Sequence, residues 1–337
     1  MGNYQIEING ELAKEKNNEN IREKIAKKIK EMGVVVTHFG DDLDNKSAIY
    51  AIQKWGEENG FILKGQKLEI LRVPAGQVKN GYLNLDTGGH KGSFINDDGE
   101  TIIIDGDPKN GIKSACEALS KLQIYVPKQI VEIADTRPNR ISSLDSRSGL
   151  ALVRYLSGDQ TFKLAEEGLL DKQLSDEQIK EFGLEDAHKK QQDIIDNACE
   201  KIKQYTEETT SGEKIVLAPE QIFAGSGIAY EMGINYYVSA STHLDKEKIP
   251  DGVTFAITCK PGVKLPENVL AFGRELVEKY RIDENSSGVF VNPNGQMIVA
   301  GGFKNPNFKI EGKSVEQMLE EIFRIFDGNE IDKNKQK

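Results

Sequence analysis

The sequence predicts an α/β protein: a parallel, Rossmann-like sheet domain, then a helical linker, then a smaller mixed α/β domain. Three observations carry this prediction. Short β-branched runs alternate with segments of helical periodicity through residue 135. Several of those runs end in aspartate, which would line one edge of a sheet with carboxylates. A strongly charged, helix-patterned stretch follows, and β-rich runs return from residue 214.

The elements follow in order. Residues 1–20 read as a polar lead-in with a short strand at 4–8, and Asn20 caps a helix that runs to Met32 and ends at Gly33. Residues 34–37 form the first central strand. A helix over 46–58 carries Ile49, Ile52 and Trp55 at helical spacing, with Gly60 past its end. Strands are expected at 68–73, 82–85, 101–104 and 129–134, and a helix at 112–122. Helices over 150–156 and 176–205 lie in a region poor in β-branched residues, closed by Ser211-Gly212. Strands at 214–217, 236–239, 253–258, 288–291 and 297–300 then alternate with helices at 266–280 and 314–326. The expected domains are 1–150, a linker at 151–212, a second domain at 213–327 and a disordered tail at 328–337.

Bulk properties exclude some functions. The length of 337 residues suits two domains, and 38% hydrophobic with 29% charged residues is ordinary for a globular chain. A net charge of −10 argues against broad capture of duplex nucleic acid, though not against a small basic site. No apolar run approaches a membrane span, and residues 1–24 lack the apolar core of a signal peptide, so a cytoplasmic location is expected. The cysteines, Cys116, Cys199 and Cys259, are odd in number and widely spaced, which suits reduced thiols rather than disulfides or a zinc site. No serine or cysteine nucleophile motif and no Walker-type loop is present.

The most informative stretch is Val34-Val35-Val36-Thr37-His38-Phe39-Gly40-Asp41-Asp42-Leu43-Asp44. An apolar strand ends in one imidazole and three carboxylates. His38, Asp42 and Asp44 have the spacing His-x3-Asp-x-Asp, a donor set suited to Mn2+ or Mg2+, with the imidazole favouring Mn2+. The plain alternative is an acidic loop that caps the next helix. Asp86, Asp105 and Asp135 also follow expected strands. That much negative charge on one sheet edge is costly unless cations neutralise it.

The ordered set His38-x3-Asp42-x-Asp44, Asp86-Thr87, Asp105 and Asp135-Thr136 resembles the DHH phosphoesterase family. Ile103-Ile104-Asp105-Gly106-Asp107-Pro108, with the helix-like Ser114-Ala115-Cys116-Glu117-Ala118-Leu119, is similar to the third motif of that family and its following helix. Ile133-Ala134-Asp135-Thr136 is similar to the fourth motif. The C-terminal half resembles the partner DHHA1 domain more distantly. The resemblance implies two divalent ions, usually Mn2+, with Asp86 bridging them, His38 and Asp42 on one ion and Asp44 and Asp135 on the other. It implies hydrolysis of a phosphate ester or anhydride, in a nucleotide or short oligonucleotide, by metal-activated water. A homodimer is compatible with it.

The pattern departs from the family after Asp105, where two histidines are replaced by Gly106 and Asp107. Asp107 could supply metal ligation but not a histidine's proton. His90 could restore an imidazole or be a surface-loop histidine. Lys91 could pair with phosphate or face solvent. Arg137 and Arg140 could clamp phosphates or anchor the linker. In the C-terminal half, Gly301-Gly302 fits a Gly-rich substrate segment without its histidine, Asn294-Gly295 signals a hairpin turn, and Gly225-Ser226-Gly227 reads as a loop. His188 and His243 lack ligand-spaced neighbours. A metal-dependent phosphohydrolase is the leading expectation. The alternative is a degenerate nucleotide- or phosphate-binding protein without turnover, and a structural cation site comes third.

Overall fold

The computed structural model describes residues 11–39, 42–87, 94–95, 100–107, 111–134, 142–244, 247–283, 286–301 and 308–328. The expected strand at 4–8 and the expected tail from 329 lie outside them. The chain divides into two compact units, residues 1–141 with 145–191, and residues 142–144 with 192–337.

The first unit opens with α1 (Glu11–Met32). It starts nine residues before Asn20, so Asn20 is not a cap; the Glu, Leu, Ala and Lys residues ahead of it are good helix formers. Ile21, Ile25 and Ile29, four residues apart, bury one stripe of it. Gly33 ends it at φ +63°, a conformation suited to glycine.

The first sheet is built from β1 (Val34–His38), β2 (Glu69–Val73), β3 (Leu83–Leu85), β4 (Phe94–Ile95) and β5 (Ile102–Ile104), with α2 (Leu43–Glu58) between β1 and β2. The spatial order is β2-β1-β3-β5-β4. The first four run parallel and β4 pairs antiparallel with β5. Side chains of successive strand residues point to opposite faces, yet Val35 and Val36, and Ile102, Ile103 and Ile104, are all buried. Both faces are therefore covered, as a parallel sheet requires. The chain steps from β1 outward to β2, then returns past β1 to β3. The order reverses there, and the crevice between the carboxyl ends of β1 and β3 is the place where such sheets bind ligands.

The rest of the unit is helical: α3 (Ala115–Lys121), α4 (Lys128–Ile133), α5 (Gly149–Leu152) with a 3-10 turn at Val153–Tyr155, α6 (Gly158–Glu166), α7 (Asp176–Glu181) and the start of α8 (Glu185–Gln204). Two expectations are corrected. The segment read as a strand at 129–134 is helical, α4 running Lys128–Ile133 with Ala134 as its C-cap. Six residues with few apolar positions fit either period, and Pro127 at the N-cap, with φ −53°, starts a helix there. The segment read as a linker from 151 begins inside the first core. Leu152, Phe162, Leu164, Leu170, Leu174 and Ile179 are buried in the same cluster as Val35, Leu85 and Ile104. The many charges on the outer faces of these short helices masked narrow apolar stripes.

The second unit contains β6 (Thr206–Glu208), β7 (Lys214–Ala218), α9 (Gly225–Glu231), β8 (Tyr236–Leu244), β9 (Pro250–Cys259), α10 (Glu267–Lys279), β10 (Arg281–Asp283), β11 (Ser286–Ser287), β12 (Val289–Val291), β13 (Met297–Ala300) and α11 (Val315–Phe326). Its main sheet has the order β12-β13-β9-β8-β7-β6, and β10 and β11 form a separate two-stranded pair among the described residues. β7 and β8 are parallel while the other pairs of the main sheet are antiparallel, so the sheet is mixed, as the sequence predicts. Strand alternation separates two packing faces. Ile215 joins Phe272, Leu276 and Ile322 from α10 and α11, whereas Val216 and Ala218 join Ile228 and Ala229 of α9. The Asn294-Gly295 turn is present, with Gly295 at φ +69° and its N–H donated to the Asn292 carbonyl at 2.9 Å. Among the described residues, no helix is long and apolar enough to cross a membrane.

Phe162 packs edge-on against Tyr50 of α2, with ring centroids 4.6 Å apart. Phe162→Ala is expected to destabilise the first unit by about 3–5 kcal/mol. Urea denaturation followed by circular dichroism would register this as a lowered midpoint. An unchanged midpoint would place residues 151–191 outside that cooperative core.

Candidate metal centre

The site grows from the ends of β1 and β3. Three buried β-branched positions carry β1 into the sheet, and His38, its last residue, emerges at the carboxyl edge. Leu85 ends β3, and Asp86 then turns the chain at φ +44°. A left-handed backbone at a residue with a Cβ costs about 1–2 kcal/mol. Two bonds hold it: the Asp86 N–H donates to the Ile104 carbonyl at 3.0 Å, and the Thr37 hydroxyl donates to the Asp86 carbonyl at 3.3 Å. Asp42 is the N-cap of α2, and its Oδ1 accepts the Asn45 N–H at 2.9 Å.

These three side chains converge. His38 Nε2 lies 3.1 Å from Asp86 Oδ2 and 3.3 Å from Asp42 Oδ2. One ligand atom from each of the three lies within 4.8 Å of the others, so the group could hold a metal ion. His38 Nδ1 lies 2.6 Å from the Phe39 carbonyl oxygen, which can only accept, so Nδ1 carries a proton. Nε2 of a neutral ring is then a lone pair aimed at two carboxylate oxygens. It must be protonated, accept a proton held by a carboxyl, or meet a cation.

The titration behaviour expresses the same demand. Burial pushes the Asp86 carboxyl up to about 8, the Asp44 and Asp42 charges push it the same way, and His38 opposes them. Burial by itself would lower the His38 pKa. The Phe39 carbonyl and the Asp86 and Asp42 carboxylates outweigh it, and the net shift is upward. Both groups hold protons more tightly, Asp86 chiefly through burial and His38 chiefly through the Phe39 carbonyl, and the neighbouring carboxylates add to both shifts.

Other expected ligands have different positions. Asp44 is buried and faces α3: its Oδ2 accepts the Ala115 N–H at 2.8 Å and its Oδ1 the Cys116 N–H at 2.9 Å. It caps α3 from outside, beside the N-cap residue Ser114, and is not in the converging group, although burial raises its pKa and it adds to the field at Asp86. Asp105 is buried, and its Oδ1 accepts the N–H of Gly106 at 2.7 Å. Asp107 is buried and exchanges backbone hydrogen bonds with Ile112 at 2.7 and 2.9 Å. Neither joins the three-residue group. A Cβ on Gly106 would lie 2.9 Å from the Lys113 carbonyl oxygen, so the backbone fills the space where the DHH pattern has a histidine.

Gly301 is buried at φ +82°, where a Cβ would lie 2.7 Å from the Phe308 carbonyl oxygen. This close approach of backbone accounts for a glycine there by packing. Gly225 begins α9 against Tyr237, and Gly227 meets Ser143, so these glycines also serve close packing. His90, Lys91, Asp135, Arg137, Arg140 and Gly302 lie outside the described residues.

Sequence reasoning missed the residues beneath the site. Asn45 is fully buried; its Nδ2 donates to Thr37 Oγ1, and its Oδ1 accepts from Arg72 Nη1 at 3.1 Å. Arg72 Nη1 also lies 3.0 Å from the His38 carbonyl oxygen. The available signal was a lone arginine within the apolar run Ile70-Leu71-Arg72-Val73 of β2. No protein-family model matches the chain, and no curated protein matches it. The likeness to DHH phosphoesterases therefore rests on the residues named above.

Two substitutions separate these roles. Gly106→His, which would recreate the family letter, is expected to lower stability by about 1–3 kcal/mol in chemical denaturation, because side chain and Lys113 carbonyl compete for one space. Asp44→Ala is expected to cost about 1–2 kcal/mol through loss of the α3 cap. Asp42→Ala, at a more exposed residue, should cost less than Asp44→Ala. The reverse ranking in thermal melts would contradict the assignment of Asp44 as a cap.

Proposed function

We propose that this chain is a divalent-cation-dependent phosphohydrolase whose metal is held by His38, Asp42 and Asp86. The single observation that carries the reading is the convergence of one imidazole and two carboxylates at the point where the strand order reverses. The donor set fits Mn2+ or Mg2+, and the imidazole favours Mn2+. Bound there, such an ion would polarise a phosphoryl oxygen and lower the pKa of a water. The chain's own residues do the rest. Asp86 and Asp42 supply the negative field that attracts the ion. His38 supplies a neutral nitrogen whose ring is fixed by the Phe39 carbonyl. The start of α2, 16 residues long, lies beside Asp42 and favours an anionic group. A nucleotide or short oligonucleotide is the substrate class that the motif resemblance supports. The two-ion arrangement finds less support, since both Asp44 oxygens already accept α3 amides.

A second reading is a phosphate- or nucleotide-binding protein without turnover. It is favoured by Gly106, where the backbone leaves no room for the histidine that the family pattern places there.

The test measures Mn2+ content and hydrolysis on one sample, with dinucleotides, short single-stranded oligonucleotides, nucleoside bisphosphates and pyrophosphate as substrates. Asp86→Ala and His38→Ala are expected to lose both bound Mn2+ and at least a hundredfold of the turnover, on the order of a lost metal ligand. Mn2+ binding with no product from any substrate would select the second reading. Turnover retained in Asp86→Ala would reject the site.

A further inference from the structure

The polar residues under the site form a one-way chain of hydrogen bonds. Arg72 has only donors, so its bond fixes Asn45 Oδ1 as the acceptor. The Asn45 amide must then present Nδ2 to Thr37, whose oxygen accepts it. The Thr37 hydroxyl has one proton, and it is directed at the Asp86 carbonyl, 3.3 Å away. The same Arg72 nitrogen that starts the chain also donates to the His38 carbonyl at 3.0 Å. Thr37 and Arg72 are partners in the β1–β2 register, so they share one face of the sheet, and Asn45 approaches that face from the first turn of α2.

The chain therefore ties together β2, β1, α2 and the end of β3. The two residues at its limits are His38 and Asp86, whose side chains meet at 3.1 Å. Thr37 and Asn45 are fully buried, so water cannot replace a bond that is lost. Arg72→Lys would keep the charge but replace the planar guanidinium, whose Nη1 reaches both acceptors, with an ammonium on a flexible stem that is not held in that plane.

We propose that Arg72, acting through Asn45 and Thr37, is a positioning residue that sets how tightly His38 and Asp86 hold a divalent cation. This rests on the cation site argued above. Partners that orient metal ligands are worth about ten- to a hundredfold in affinity. Arg72 and Thr37 touch neither substrate nor metal in this scheme, so their effect is carried by ligand geometry.

The experiment is Mn2+ titration of the full chain by calorimetry, with the electron paramagnetic resonance spectrum of bound Mn2+ recorded in parallel. Arg72→Lys is expected to weaken Mn2+ binding about tenfold and to change the spectrum. Thr37→Val, close in shape to the parent, is expected to weaken it in the same direction, and Thr37→Ser, which keeps the hydroxyl, to restore it. Should Arg72→Lys fail to fold by circular dichroism, the Thr37→Val and Thr37→Ser pair decides. Parental affinity and spectrum in folded Arg72→Lys and Thr37→Val, with binding abolished in His38→Ala, would overturn the positioning role and leave the cation site standing. Parental Mn2+ binding in His38→Ala would overturn both.

Discussion

The His38 ring has one nitrogen committed and one in dispute, and much of the site follows from that. Its Nδ1–H is donated to the Phe39 carbonyl, so Nε2 faces Asp86 and Asp42 as a lone pair unless something positive intervenes. The parallel sheet produces this meeting. β1 and β3 are neighbours, both end at the same edge, and the chain reverses its direction of travel between them. Side chains from two strand ends and one helix cap are thereby brought to one point: Asp42 is four residues from His38, whereas Asp86 is 48 residues away and reaches it only through the sheet. The left-handed turn at Asp86 is part of the same geometry, and the Thr37 and Ile104 bonds offset its cost.

Asp42 and Asp44 show how a motif can divide. Two residues apart at the start of a helix, their side chains diverge by more than half a turn. Asp42 turns back across the helix start toward His38. Asp44 turns toward α3 and accepts two of the amides that a helix leaves without partners at its first turn. Its burial makes ionisation expensive, and the amides of Ala115 and Cys116 counter that. The carboxylate that resembles a ligand of a second ion thus serves as the clip between α2 and α3. Gly106 lies in the same neighbourhood. The chain around Lys113 closes against it just before the helix that Asp44 caps.

Much of this was legible in the sequence, for identifiable reasons. Long or strongly periodic elements were recovered: β1 from its β-branched run, α2 from Ile49, Ile52 and Trp55, and the β12–β13 hairpin from Asn294-Gly295. Short elements with few apolar residues were not. Helix α4 has six residues, too few to separate a period of two from one of 3.6. Helix α5 is only four residues long and α6 and α7 bury narrow stripes beneath charged faces, and so the first core reaches further along the chain than composition implies. In the site, His38, Asp42 and Asp86 were readable because a strand end followed by a polar residue is a local signal. The role of Asp44 depends on the amides of a helix 71 residues away. The role of Arg72 depends on the register between β1 and β2, which no local pattern encodes.

On the reading proposed here, a divalent ion suits the charge balance of the pocket better than a single proton does. A neutral imidazole and two carboxylates carry two negative charges. One proton leaves the group negative, close to Asp44 and Asp105, which also add to the field at Asp86. A divalent cation makes the three-ligand group neutral, and neutrality is what a half-buried site requires when it has no cation of its own among its ligands. The ion also satisfies Nε2, Asp86 Oδ2 and Asp42 Oδ2 together, whereas a proton can lie on only one line between two of them. The bonds already made on the far side of each ligand, Phe39 to the His38 ring, Asn45 to Asp42 and Thr37 to the Asp86 backbone, leave those three atoms as the ones still turned toward one another. Ligands oriented from behind in this way are what the proposed cation site would need, since a cation binds best where its ligands need not be rearranged.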